Sequence, residues 1–246
     1  MNNFTSELIG TMLLILLGNG VVANVLLNKT NGFNSGWIVI TFGWAMAVFV
    51  AVFTTSEFSG AHINPAVTIG LAIAEVFPWS EVPVYILGQM IGASIGAFLV
   101  WVFYKQHFDH TEDKEVKKAA FCTAPSIRHP FFNLFSETTG TFVLVFAVLF
   151  LAGPKFSVAE LPTAEFGLGA IGALPVALLV FAIGLSLGGT TGYAINPARD
   201  LAPRIMYFLL PIRGKRDSDW GYSWVPVVGP VLGAVIAALL YLFLKI

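Results

Sequence analysis

The segment Ser59-Gly60-Ala61-His62-Ile63-Asn64-Pro65-Ala66 returns 132 residues later as Thr191-Gly192-Tyr193-Ala194-Ile195-Asn196-Pro197-Ala198, with five of eight positions identical. A second echo, Glu7-Leu8-Ile9-Gly10-Thr11 against Glu137-Thr138-Thr139-Gly140-Thr141, is offset by 130, so the chain is a tandem duplication. Around these copies lie six apolar runs, at about 8–27, 37–54, 83–104, 133–153, 168–187 and 224–244. Each has the roughly 17–25 residues that a transmembrane helix needs, and three fall in each half. An odd number of crossings per copy forces the second copy to lie inverted in the bilayer relative to the first. The expected fold is an all-α membrane protein, a single domain over 1–246. It comprises an inverted repeat, about 5–104 and 133–245, joined by a loop at 105–132.

Composition agrees. The chain is 57% hydrophobic and 11% charged, against about 45–50% and 25% in soluble domains. A net charge of -1 gives no basic surface for nucleic acid. The 24 glycines suit membrane helices, where small residues let backbones approach. Cys122 is the single cysteine, so no intrachain disulfide forms, and neither a metal nor a cofactor is expected. No Lys or Arg precedes the first apolar run, which therefore lacks the positive flank of a signal peptide and is expected to remain as a span.

Two apolar segments are left over, about 64–75 and 196–208, each opened by Asn-Pro. At about 1.5 Å per residue they reach only part of the way across a hydrocarbon core of about 30 Å. They read as two re-entrant half-helices that enter from opposite faces and meet near the midplane. Non-helical backbone at that depth is tolerated only where protein buries it or where it lines a water-filled cavity. Asparagine is a favoured N-cap and proline a favoured first helical residue. If the Asn64 and Asn196 carbonyl oxygens cap their own helices, the amide NH2 groups are left free as donors. Both would face the lumen, orient a passing hydroxyl and interrupt a proton-conducting chain. Two positive helix N-termini add a barrier to cations. An arginine inside a membrane is costly and by default marks a pathway, and Arg199 stands in the second half-helix.

The doubled Asn-Pro-Ala (Asn64, Pro65, Ala66 and Asn196, Pro197, Ala198), the Arg199 that follows the second, and the paired Glu-x-x-Gly-Thr together resemble the aquaporin, or major intrinsic protein, family. The resemblance covers essentially the whole chain. Asp200 directly after Arg199 resembles the glycerol-conducting branch, the aquaglyceroporins. By the same resemblance, Trp44, Gly184, Tyr193 and Arg199 form the selectivity filter, where water-only channels carry Phe, His, a small residue and Arg. Glycine at 184 would leave room for the solute, Trp44 and Tyr193 an apolar corner for its C–H face, and Arg199 donors for its hydroxyls. Carbonyls of Gly60, Ala61, His62 and Ile63, and of Gly192, Ala194 and Ile195, would line the lumen as acceptors. Glu7 and Glu137 would hold those loops, or simply favour a helix dipole. His62 lines the lumen or packs. The resemblance implies a passive, non-enzymatic channel for glycerol and similar small uncharged solutes, with some water. It also implies a homotetramer in contact with membrane lipid, a multi-pass protein of the plasma membrane with both termini cytoplasmic.

Three features pull elsewhere. Gly184-Leu185-Ser186-Leu187-Gly188 matches G-x-S-x-G, but a nucleophile elbow needs a strand-to-helix turn, and here the pentapeptide ends an apolar run. A proton- or sodium-coupled carrier needs a titratable acid at the midplane, for which Asp200 is the available residue. The positive-inside rule argues against cytoplasmic termini. That topology puts Lys29, Lys105, Lys114, Lys117, Lys118, Arg128, Arg213, Lys215 and Arg216 outside, and Lys155 and Lys245 inside.

Overall fold

The structure, a computed structural model, describes residues 1–151 and 168–245. Among them are ten α-helices. Six apolar stretches are long enough to span a membrane: α1 (Asn3–Leu26), α2 (Trp37–Ser59), α4 (Val82–Phe103), α7 (Pro130–Leu149), α8 (Leu174–Leu187, extended by a 3-10 turn at Gly169–Ala173) and α10 (Val225–Lys245). The short helices α3 (Pro65–Ile73) and α9 (Pro197–Leu209) begin at the two Asn-Pro steps. The end of the fourth apolar run and Lys155, expected inside, lie outside the described residues.

Local chemistry moves some boundaries. The second span was expected to stop near residue 54 but continues to Ser59, because Gly60 takes φ +76 and ends the helix in a left-handed cap. The fourth starts at Pro130, behind His129, whose side chain accepts from the Phe132 amide. The joining segment is not a plain loop. It folds into α5 (Lys105–His110) and α6 (Lys114–Ala119), the latter capped by Asp113.

Small residues set the packing. Gly88, Gly92 and Gly96 on α4 lie against the α1 backbone; a Cβ at Gly92 would stand 2.2 Å from the Leu8 carbonyl oxygen. Gly233 on α10 repeats this against Thr138 of α7, also at 2.2 Å. So the duplication extends to helix pairing, α1 with α4 and α7 with α10. Each half-helix then crosses over: α3 packs on α10 of the other repeat, and α9 on α4. The two copies interlock and leave the paired loops at the centre.

Candidate functional site: a lumen between the two repeats

Both Asn-Pro-Ala steps begin helices as their chemistry dictates. Asn64 Oδ1 accepts from the Ala66 amide at 2.9 Å, and Asn196 Oδ1 accepts from Ala198 and Arg199 at 3.0 and 3.2 Å. The amides are not wholly free, which corrects the sequence expectation. Asn64 Nδ2 donates to the Ile195 carbonyl and Asn196 Nδ2 to the Ile63 carbonyl, each at 2.8 Å. A primary amide has two N–H groups, so one remains on each asparagine. The carbonyls of Ile63 and Ile195, expected as acceptors in the lumen, each take one of these bonds from the opposite repeat and keep a second lone pair.

The loops before the half-helices are strained in matched fashion. Ala61 and Ile63 have φ of 51° and 44°, and their counterparts Tyr193 and Ile195 have 38° and 43°. Left-handed backbone at a β-branched residue persists only when the surroundings over-determine it. Two buried carboxylates do so. Glu7 accepts from the His62 and Ile63 amides at 2.9 and 2.7 Å, and also from Ser59 Oγ and Gln89 Nε2. Glu137 accepts from the Ala194 and Ile195 amides at 3.0 and 2.8 Å.

A cavity of about 240 Å³ runs between the repeats. It is lined by Gly60–Asn64 and Tyr193–Asn196 of the two loops, and by apolar side chains that include Val48, Val67, Leu144 and Val180. Trp44, Tyr193 and Arg199 stand together on it. The Arg199 guanidinium lies 4.2 Å from the Trp44 ring centroid, a cation–π contact that offsets burial of the charge. Arg199 Nη1 and the Tyr193 hydroxyl are buried with no hydrogen-bond partner among the described residues.

Gly184 and Gly192 are corrections: neither lies on the cavity wall. A Cβ at Gly184 would stand 2.9 Å from Tyr193 Cζ, so the space freed by the glycine holds the tyrosine ring, not solute. Gly192 takes φ +79 and donates to the Gly188 carbonyl at 2.9 Å, turning the chain out of α8. His62 does both things left open for it. It reaches the cavity, and it also packs on Phe77 and Tyr85 with Nδ1 3.2 Å from Thr68 Oγ1.

The rival motifs find their places. Residues 184–188 close helix α8; Ser186 is exposed, while Gly184 and Gly188 pack against Tyr193. Asp200 is fully buried off the lumen, bound to Arg204 at 2.7 Å and to the Thr123 amide and hydroxyl at 2.7 and 2.6 Å. Arg204 also donates to the carbonyls of Thr123 and Ser218, tying α9 to both connecting loops. Of the loop cations, Lys105, Lys118, Arg128 and Arg216 pair with acids, and Lys215 donates to the Tyr207, Phe208 and Leu210 carbonyls at the end of α9.

Sequence reasoning missed Arg204, although an arginine four residues after Asp200 in a membrane segment was a usable signal. It also missed Gly18, whose absent Cβ admits Trp44: a Cβ there would stand 2.3 Å from Cζ3 of the ring. Nothing in the spacing could have found that contact.

Comparison with known proteins agrees with this geometry. The model of the family described as "Major intrinsic protein" matches residues 1–241. The chain is 52% identical over 241 residues to a probable glycerol uptake facilitator protein of Thermotoga maritima, covering 98% of each. It is 51% identical to the glycerol uptake facilitator protein of Bacillus subtilis, over 98% of this chain and 84% of that one. The crystal structure of the aquaglyceroporin from Plasmodium falciparum superposes with a TM-score of 0.81 at 31% identity, covering 97% of this chain and 94% of that one. With six spans, two half-helices and this match over nearly its whole length, the chain belongs to the major intrinsic protein family.

Proposed function

We infer that this protein is a passive membrane channel for glycerol and similar small neutral solutes, passing some water and excluding protons and ions. The observation that carries the reading is the asymmetry of the cavity at its Trp44, Tyr193 and Arg199 end. Trp44 and Tyr193 line the same wall as Arg199, whose guanidinium lies over the Trp44 ring and whose Nη1 has no protein partner among the described residues. A polyol has the matching asymmetry, a C–H face for the rings and hydroxyls for the guanidinium. Beyond that point, carbonyls of the paired loops offer acceptors to its hydroxyl hydrogens.

Exclusion of cations follows from charge. Arg199 and the N-termini of α3 and α9, each equivalent to about half a positive charge, stand along one path. The remaining amide hydrogen of Asn64 and of Asn196 holds a permeating oxygen so that its own hydrogens point away, which breaks a proton relay. In this reading Gly184 acts on the filter indirectly, by seating Tyr193, and Glu7 and Glu137 brace the loops.

The same reading assigns a homotetramer with a pore in each subunit, lipid around it, and residence in the plasma membrane with both termini cytoplasmic. Exposed apolar side chains along the spans, such as Leu17, Phe42, Phe98 and Leu239, support contact with lipid or with other subunits. Stopped-flow swelling of proteoliposomes in a glycerol gradient tests the function; water flux without glycerol flux refutes it. Reporter fusions at the two termini test the orientation, and two external termini overturn it.

A further inference from the structure

We infer that Trp37, which is not a filter residue, is the positioning residue that fixes how far the Tyr193 ring stands into the lumen, and thereby sets the size limit of the solute. This rests on the channel reading above. The Tyr193 hydroxyl has no hydrogen-bond partner among the described residues, so the ring is held by packing alone. Its slot has a helix wall and a side-chain wall. The helix wall is glycine: Cβ atoms built at Gly184 and Gly188 would stand 2.9 Å from Cζ and 2.5 Å from Cδ1 of the ring. The side-chain wall is Trp37, whose ring meets Tyr193 edge to face at 5.8 Å and 79°.

Trp37 is itself pinned. Its Nε1 donates to the Gly184 carbonyl at 3.1 Å, across from the first turn of α2 to α8. The hydrogen bond therefore joins the two walls at the glycine that seats the tyrosine. Trp44 stands two turns further along α2, so one helix carries both a filter aromatic and the brace for the other. With the helix wall fixed by Gly184 and Gly188, removing the indole takes away the side-chain wall and frees the Tyr193 ring to shift.

The test uses full-length protein in proteoliposomes and compares light-scattering rates for glycerol and for xylitol, a five-carbon polyol. In Trp37→Ala the xylitol-to-glycerol ratio is expected to rise about threefold or more, the scale of one lost hydrogen bond. Trp37→Phe fills the slot without the N–H donor and is expected to fall between wild type and Trp37→Ala; it carries the test if the alanine variant fails to assemble. A purely structural role for Trp37 lowers both fluxes in proportion. An unchanged ratio, a falling ratio, or a proportional loss overturns the inference. A wild-type protein that passes no glycerol refutes the channel reading and this inference with it, whereas a glycerol-conducting wild type with unmoved ratios sinks only the assignment to Trp37.

Discussion

The side-chain amide of Asn64 donates to the carbonyl of Ile195 at 2.8 Å, and Asn196 returns the same bond to Ile63. Each repeat thus satisfies a polar atom of the other at the centre of the molecule, so neither half-helix is set in place by its own repeat alone. Asn64→Ala removes an N-cap, at about 1 kcal/mol, and orphans a buried carbonyl, at about 1–3 kcal/mol. A fall in thermal unfolding temperature in detergent, together with lost glycerol flux, is expected; an unshifted transition would deny the cross-repeat bond any structural weight.

Glu7 shares its two oxygens among Ser59, His62, Ile63 and Gln89. Glu7→Gln places an NH2 among donors and breaks charge-assisted bonds, each of about 1.5–3 kcal/mol. The strained Ala61–Ile63 loop should relax, seen as faster amide exchange at 61–63 and reduced glycerol flux. Unchanged exchange there would mean that the loop holds its shape without the carboxylate.

Gly18→Ala should displace the Trp44 ring, over which Arg199 lies, because the new Cβ would stand 2.3 Å from the indole. Overpacking of this kind costs about 1–3 kcal/mol. Glycerol flux is expected to fall more than water flux, and Trp44→Phe in the same chain should restore part of it. Equal losses of both fluxes with no rescue would place the effect elsewhere.

Asp200 and Arg204 are an ion pair with both side chains fully buried. Removing either partner strands a charge, at about 3–5 kcal/mol. Asp200→Asn and Arg204→Met should each destabilise strongly, and the double variant should lose less than the two together. Additive losses in a double-mutant cycle would show that the pair is not coupled.

At the rim, burial pushes the Asp219 carboxyl up, but the Arg128 hydrogen bond and the Lys118 charge outweigh it and hold it below its ordinary value near 3.8. A depressed folded value contributes stability above the unfolded value, lost as pH falls through the folded one. Protease nicking of the 211–223 loop should therefore stay constant from neutral pH down to about 4 and rise below that. Asp219→Asn should be nicked at neutral pH; equal resistance in both proteins would refute the role.

What the sequence by itself determined was the periodic and duplicated part of the fold, although α5 and α6, which are equally local, were read as a loop. Six apolar runs gave the spans, the duplicated octapeptide and the odd crossing number gave the inversion, and Asn-Pro gave the two helix starts, because capping and hydrophobic length act within a few residues. Trp44, Tyr193 and Arg199 could be carried onto the chain from a resemblance, but their contacts could not. Tertiary structure decided that the asparagines bond across the repeats, that the gap at Gly184 holds Tyr193, that Gly18 seats Trp44, and that Asp200 faces Arg204 and Thr123 rather than the lumen. Each joins residues distant in the chain or sets where a side chain points, and depends on sub-ångström helix approach. An absent Cβ leaves no trace in a sequence of what will fill its place.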